Sequence, residues 1–171
     1  MAGEPEENFD RVFSQYGAIA SFAVRRGSRD PESIAAETMA IAWRRLAEID
    51  HDDCRPWLFT TARNLLMAEQ RRTREEPFDA SALELPDASI PDFPIESLDP
   101  DIDRALAALD PLDREALLLV AWDELNPREA AASLGIKPNA FRVRLHRARK
   151  RFHAHFEAKP RSLPMPSEEQ T

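Results

Sequence analysis

The segment from Asn126 to Arg151 reads NPREAAASLGIKPNAFRVRLHRARKR, and it indicates the fold more clearly than any other part of the chain. It holds two short helical patterns separated by Leu134-Gly135-Ile136, and the second pattern is rich in arginine. A helix-turn-helix has this layout, with one helix against the DNA backbone and the next lying in the major groove. From Lys137 to Arg151 there are seven Lys or Arg and no acidic residue, although the whole chain has a net charge of −8. Positive charge concentrated on one segment of an acidic protein favours a specific polyanion site.

The residues around the break predict where both helices begin. Asn126 can cap the first helix, Pro127 takes its first position, and Glu129 completes a capping box. Pro138 starts the last helix. Residues at steps of four, three and four form its inward face: Phe141, Leu145, Ala148 and Phe152. Polar and charged residues dominate the face that then points outward: Asn139, Arg142, Val143, His146, Arg149 and Lys150.

A solvated basic face is the alternative interpretation of the last helix. An exposed helix normally mixes charges of both signs, because i,i+4 pairs of opposite charge stabilise it. This helix repels itself unless an anion neutralises it, so nucleic-acid binding is favoured. Arg142 and Arg147 can make bidentate contacts to guanine edges or can clamp phosphates. His146 can do either, or can simply fill space.

The composition indicates an all-α protein. The chain has 171 residues, of which 43% are hydrophobic and 32% charged, and only four are glycine. Abundant Ala, Leu, Arg and Glu favour helices over strands. Cys54 is the single cysteine, which excludes an internal disulfide and fits a reducing compartment. Because there is neither a signal-peptide pattern nor an apolar run of about 20 residues, we expect a cytoplasmic protein without membrane insertion.

An acidic, proline-rich segment divides the chain. Glu75–Asp103 contains ten acidic residues and five prolines but no Lys or Arg, a composition typical of an extended linker. We therefore predict two small helical domains joined by this linker, the second being the helix-turn-helix. The predicted ranges are 6–75 for the first domain, 76–100 for the linker, 101–157 for the second domain and 158–171 for a disordered tail.

Three helices are predicted in the first domain. One carries apolar residues from Phe9 to Ala23 at helical spacing and ends at Gly27. The second begins at Asp30-Pro31, with Asp30 as the N-cap. The third runs from Arg55-Pro56 into a cationic end at Arg71–Arg74. These arginines complement the negative end of the helix dipole, and they are equally suited to contact phosphates.

Large aromatic residues are assigned to the core. Trp43, Trp57 and Trp122 lie on predicted helices, where large aromatic side chains are usually buried. Exposed tryptophans would instead be candidates for base stacking or for a partner interface.

Groups able to carry catalysis or a metal ion are sparse. The four adjacent ligand-type residues His51-Asp52-Asp53-Cys54 cannot all point at one ion, and no second Cys or His pair lies nearby. His153 and His155 face different directions on a helix. The chain has no Gly-rich phosphate loop, nucleophile elbow or catalytic triad. We therefore expect no enzymatic activity, no cofactor and no metal site.

Three segments, in order, carry a resemblance to a known family. They read DPESIAAETMAIAWRRL (Asp30 to Leu46), RPWLFTTARNLLMAEQRR (Arg55 to Arg72) and LDPLDREALLLVAWDELNPREAAASLGIKPNAFRVRLHRARKRF (Leu109 to Phe152). Together they resemble the extracytoplasmic-function (ECF) sigma factors of bacterial RNA polymerase. The Arg-Leu-His-Arg-Ala-Arg run at 144–149 is especially typical of that family.

The resemblance implies a factor that binds core RNA polymerase and promoter DNA and directs initiation at −10 and −35 elements. It implies contacts to the −35 duplex by Lys137, Asn139, Arg142, Val143, Arg144, His146 and Arg147. It implies contacts to the −10 element by Asp50, His51, Arg55, Arg63, Asn64, Arg71 and Arg72. It implies contacts to the polymerase clamp by Asp30, Glu32, Glu37 and Arg44. An anti-sigma factor would be a further partner.

Some positions depart from the family pattern. Ala36 stands where the family often has Gln, and Lys137-Pro138 opens the last helix where Ser or Thr is usual. Val143 replaces a commoner Ser and can contact a thymine methyl group. These departures concern promoter preference and clamp affinity.

Two other functions stay open from the residues alone. One is a helix-turn-helix regulator that binds duplex DNA as a dimer without being a polymerase subunit. The other is an adaptor whose basic helix binds an acidic protein partner.

Overall fold

The protein is all-helical over the residues that the computed structural model describes, 5–73 and 99–158. The helices are α1 (Pro5–Phe13), α2 (Tyr16–Arg25), α3 (Pro31–Arg44), α4 (Arg55–Thr73), α5 (Pro100–Ala107), α6 (Pro111–Ala121), α7 (Pro127–Ser133) and α8 (Pro138–Glu157), with a short 3-10 turn at Leu46–Glu48. The predicted all-α class is confirmed. Apart from residues 99–100 and 158, the predicted linker and tail lie outside the described residues, and the domain boundaries stay predictions.

The first predicted helix is in fact two helices. The Ser14 hydroxyl donates to the Arg11 carbonyl at 2.6 Å, and the Gln15 amide bonds to Val12 at 3.1 Å. These i→i−3 bonds close a turn and offer the backbone an alternative to the helical ladder. The apolar spacing continues across the break between α1 and α2, so the sequence pattern predicted one continuous helix.

Helices α1 to α4 form the first helix group around one core. Helix α3 packs against α1, α2 and α4, and α2 also contacts α4. The rings of Phe22 and Phe59 meet edge to face at 5.2 Å in the centre. Asp30 caps α3 as predicted, because its carboxylate accepts the Ser33 amide at 3.0 Å. Glu69 of α4 accepts the Asp30 amide at 3.3 Å, which ties the start of α3 to α4.

Helices α5 to α8 form the second helix group, and α7 and α8 are the predicted helix-turn-helix. The capping box at Asn126 and Glu129 is present on both sides. Gly135 has φ +67° in the turn between α7 and α8, a left-handed conformation that strains any residue with a Cβ. The predicted inward residues of α8 are buried at Phe141, Leu145 and Ala148 and partly buried at Phe152.

The two helix groups lie directly against each other. Helix α4 of the first group contacts α7 of the second, and the Thr60 hydroxyl lies 3.2 Å from the Ser133 carbonyl that accepts its hydrogen bond. Nothing in the sequence pattern had indicated this contact. Across the described ranges, no helix is long and apolar enough to cross a membrane.

Candidate nucleic-acid interface

The outer face of α8 presents a cationic and polar surface to solvent, which we call the recognition face. Six of the seven residues predicted to contact −35 DNA are exposed there: Lys137, Asn139, Arg142, Val143, His146 and Arg147. Val143 is 52% exposed although it is apolar. The structure thus brings these residues together on the first three turns of the helix, where a recognition helix contacts base edges.

The seventh residue, Arg144, is turned towards the protein. Its guanidinium lies 2.7 Å from one oxygen of Asp113 in α6, and Arg151 lies 2.5 Å from the other oxygen. The Asp113 side chain is only 3% exposed. One buried carboxylate thus holds two positions of α8 that are two turns apart, and it fixes how the recognition face is rotated. A direct DNA contact by Arg144 stays a prediction.

The residues predicted to contact −10 DNA do not form one exposed surface. Asp50 is exposed beside the 3-10 turn, and His51 bonds through Nε2 to the Leu46 carbonyl at 2.8 Å. Arg72 is exposed at the end of α4, while Arg71 and Asn64 are partly exposed. Arg55 and Arg63 are instead drawn into the contact between the two helix groups.

A buried charge network fills that contact, and sequence reasoning missed it. Arg26 is 0% exposed; its guanidinium donates to Glu115 at 2.8 Å and to Asp123 at 2.8 Å. Arg25 pairs with the same Asp123. Arg55 donates to the Asp123 carbonyl at 2.7 Å. Because the partners lie 89 and 97 residues apart in sequence, no local pattern could have indicated the network.

The network sets the charge states of its arginines. Burial works against the charged form of Arg26, but the carboxylates of Glu115 and Asp123 outweigh it and raise the pKa of this guanidinium. Arg63 is 8% exposed, and burial lowers its pKa, with Glu115 opposing and Arg26 adding to the shift. Arg63 therefore lies within the electrostatic reach of the same network. In this arrangement it is not accessible to a DNA strand.

The residues predicted to dock on the polymerase clamp lie on the exposed side of α3. Asp30, Glu32, Glu37 and Arg44 are all exposed. The Tyr16 hydroxyl donates to Glu32 at 2.7 Å, and this hydrogen bond to a carboxylate raises the pKa of Tyr16. Hydrogen bonds from Ser33 lower the pKa of Asp30. Hydrogen bonds therefore hold Asp30 and Glu32 at the exposed start of α3.

Two tryptophans predicted to be core residues are exposed, so that prediction was wrong for them. Trp43 is 49% exposed and Trp122 is 38% exposed, while Trp57 is partly buried. Trp43 directly precedes Arg44 in α3 and packs edge-on against Phe9 of α1, with 4.8 Å between the ring centres. Helical spacing does not show how completely a neighbouring helix covers a side chain, and α1 covers Trp43 only in part.

The remaining loop before α4 shows no cluster of ligands. His51 is engaged with backbone, and Cys54 is buried, which raises the pKa of its thiol. Across residues 5–73 and 99–158, no three His, Cys, Asp or Glu side chains are placed to hold a metal ion.

A helix-turn-helix DNA-binding protein is the class that this fold and its recognition face define. Comparison with known proteins narrows the class. Residues 100–152 match the family described as Sigma-70, region 4. The chain is 32% identical over 123 residues to the ECF RNA polymerase sigma factor SigL of Mycobacterium tuberculosis, covering 68% of this chain and 69% of SigL. It is 35% identical over 141 residues to a protein of Xanthomonas campestris named "Probable RNA polymerase sigma factor RfaY", covering 77% of this chain but only 35% of that longer protein.

A solved structure is similar over both helix groups. It is the structure of CnrH in complex with the cytosolic domain of CnrY, with a TM-score of 0.63 and 27% identity over 93% of each chain. CnrH is an RNA polymerase sigma factor of Cupriavidus metallidurans. The chain described here belongs to the ECF family of RNA polymerase sigma factors. The predicted family is confirmed, and with it the class of a promoter-specific initiation factor that is not an enzyme.

Replacing Asp113 tests how α8 is held. Asp113→Asn removes the charge that pairs with Arg144 and Arg151, whose side chains are 36% and 58% exposed. Because water screens both partners, we expect a loss of about 1–2 kcal/mol of unfolding free energy rather than the larger cost of a fully buried pair. Urea denaturation measures it. Glu157→Gln removes an exposed charge from α8 and should leave the denaturation midpoint unchanged. Equal midpoints for the two variants would contradict the role of Asp113 in anchoring α8.

Proposed function

We propose that this sigma factor reads the −35 element with the recognition face of α8 and engages the −10 element and the polymerase clamp with the first helix group. The observation that carries the proposal is the exposed cationic face on a helix whose opposite side is fixed in the protein core. Family membership supplies the polymerase and the promoter as partners. The residue assignments are inferred from where the side chains lie.

The recognition face suits duplex DNA in shape and charge. Arg142 and Arg147 extend from exposed positions on successive turns and can make bidentate contacts to guanine or to phosphates. The exposed methyl groups of Val143 between them suit a thymine methyl. Asp113 restrains the rotation of α8, so less ordering has to accompany binding than for a freely moving helix.

The acidic side of α3 suits a basic partner surface. Glu32, Glu37 and the capping residue Asp30 present negative charge on α3, the helix that also carries the exposed indole of Trp43. Large aromatic residues surrounded by charges are typical anchors of protein interfaces. We assign this surface to the polymerase clamp, and we assign the Asp50–His51 turn to capture of an unstacked base of the −10 element.

We further propose that an anti-sigma factor regulates the chain in the cytoplasm. The similar structure of CnrH was solved with CnrY bound. The exposed aromatic residues of the first helix group would provide apolar area for such a partner. The buried Cys54 gives no sign of a disulfide that would require an oxidising compartment.

Assembly with core polymerase separates this function from that of a free helix-turn-helix regulator. Size-exclusion chromatography of the full chain with purified core enzyme should yield a stoichiometric complex. Glu37→Lys should weaken the complex at least about tenfold, since a like charge placed against a basic surface costs several kcal/mol. Glu157→Lys makes the same charge change at the far end of α8 and should leave assembly intact. Failure of the unaltered chain to join the core enzyme would refute the proposal.

Substitutions on the recognition face test its assignment separately. In promoter complexes formed by holoenzyme, Arg142→Ala and Arg147→Ala should each weaken binding by roughly 1–3 kcal/mol if the arginine reads a base. Filter binding at several salt concentrations measures the loss and its salt dependence. Arg45→Ala removes the same charge from the exposed end of α3. The affinity of this control variant for core polymerase can be measured separately. Equal losses for Arg45→Ala and the two α8 variants would contradict the assignment.

A further inference from the structure

We infer that Tyr16 and Glu69 are positioning residues, which hold the start of α3 in the arrangement that docks on the polymerase clamp. Each bonds to a residue with a proposed clamp contact, Tyr16 to Glu32 and Glu69 to Asp30. The inference rests on the proposed function, because it uses the assignment of these two carboxylates to the clamp. It goes beyond that function by giving a role in docking to two residues that are not themselves proposed to touch the polymerase.

The first link joins α2 to α3 at Tyr16. The Tyr16 hydroxyl donates to one carboxylate oxygen of Glu32 at 2.7 Å and lies 3.4 Å from the Glu32 carbonyl oxygen. The ring is partly buried against the core and packs on Phe13, with 5.5 Å between the ring centres. A side chain with only two rotatable bonds to its ring thus holds an exposed carboxylate, whose second oxygen can accept a bond from a partner.

The second link joins α4 to the loop before α3. One carboxylate oxygen of Glu69 accepts three hydrogen bonds from successive residues of this loop. The donors are the Ser28 hydroxyl at 3.1 Å, the Arg29 amide at 3.2 Å and the Asp30 amide at 3.3 Å. Asp30 then caps α3 through the Ser33 amide. Since hydrogen bonds to a charged acceptor are the stronger kind, Glu69 fixes the backbone from which α3 begins.

The two links order a surface rather than support the core. Helix α3 is held in the protein by its buried apolar side chains, among them Ile34, Met39 and Ala42. Asp30 and Glu32 are exposed, so water can replace a hydrogen bond that is lost there, and the loss costs little stability. The effect of the links is therefore expected in binding.

An ordered docking surface binds its partner at a lower entropic cost. If removal of one link leaves about a tenth to a third of the molecules with the start of α3 in the docking arrangement, the apparent affinity falls about threefold to tenfold. The loss lies in the association rate, because fewer encounters are productive. The contacts in the assembled complex are unchanged, and so is the dissociation rate.

Titration of Tyr16 reports the first link, because Tyr16 is the only tyrosine of the chain. The hydrogen bond to Glu32 raises the pKa of the Tyr16 phenol, and the negative charges of Glu32 and Asp30 add to the shift. Phenolate absorbance against pH should give a pKa above the ordinary tyrosine value in the unaltered chain and a lower one in Glu32→Gln. Equal pKa values in the two proteins would overturn the first link.

Amide hydrogen exchange reports the second link. The amides of Arg29 and Asp30 should exchange faster in Glu69→Ala than in the unaltered chain. Glu69→Gln keeps a side-chain carbonyl oxygen that accepts hydrogen bonds, so exchange should stay close to that of the unaltered chain. Glu7→Ala removes an exposed acid from α1 and should change nothing. Equal exchange in Glu69→Ala and Glu7→Ala would overturn the second link.

The kinetics of assembly with purified core polymerase test the role in docking. Tyr16→Phe and Glu69→Ala should each slow association about threefold to tenfold and leave dissociation within about twofold. Glu69→Gln should recover most of the association rate. Glu37→Gln removes a proposed direct contact that belongs to neither link, and it should speed dissociation instead. Ser21→Ala and Glu7→Ala remove an exposed hydroxyl and an exposed acid elsewhere and should match the unaltered chain.

The outcomes separate the positioning role from the clamp assignment. If the unaltered chain does not assemble with the core enzyme, or if Glu37→Gln dissociates no faster, the clamp assignment fails and the inference fails with it. If the chain assembles but Tyr16→Phe and Glu69→Ala associate as fast as their controls, the positioning role alone is refuted. Faster dissociation with unchanged association would make the two residues direct contacts, which also refutes it.

Two further comparisons guard against other causes of a slower association. Equal losses for Glu69→Gln and Glu69→Ala would show that charge rather than geometry sets the rate, and would refute the role of Glu69. Urea denaturation should give similar midpoints for all variants, because both links lie at an exposed surface. If Tyr16→Phe does not fold, the Glu69 pair decides the question.

Discussion

A guanidinium with no exposure to water is tolerated only where carboxylates neutralise it, and Arg26 finds both of its carboxylates in the other half of the chain. This requirement fixes how α2 and α4 sit against α6 and α7. It also determines which surfaces are free. The side of the first helix group that carries Arg55 and Arg63 is covered, whereas the recognition face of α8 and the acidic side of α3 remain open to partners.

A second buried carboxylate, that of Asp113, fixes the orientation of α8 inside the second helix group. Asp113 holds Arg144 and Arg151 on one side of α8, so that Arg142, Val143 and Arg147 point outward. Arginine on this helix therefore has two uses, anchoring the helix and presenting charge. Which of the two uses an arginine has depends on where its position lies around the helix axis, since the residue type is the same.

The sequence alone predicted what depends on local geometry. The capping box at Asn126, the turn at Gly135 and the inward side of α8 at Phe141 and Leu145 were all confirmed, because caps, glycine turns and helical spacing are fixed by residues within a few positions of one another. The three ordered segments were sufficient to indicate the family. The composition also predicted the all-helical class.

What the sequence could not predict depends on contacts between distant residues. The break between α1 and α2 is a turn with i→i−3 bonds at Ser14 and Gln15, and it lies within an unbroken apolar pattern. Trp43 lies on the side of α3 that α1 covers only in part, so nearly half of its surface stays exposed. Arg26 and Glu115 look like ordinary surface charges until the fold brings them together. Of the candidate site, the exposed recognition face of α8 was therefore predictable nearly residue by residue, whereas the burial of Arg63 and the bond from Arg55 to Asp123 were not.

Run-off transcription with purified core polymerase on a library of randomised promoters shows whether one chain places its two helix groups on two promoter elements. We expect initiation at one fixed distance from a selected pair of motifs. We also expect Val143→Ser to change the base preference of the upstream motif alone. Absence of any defined start site, or a change confined to the downstream motif, would refute this arrangement.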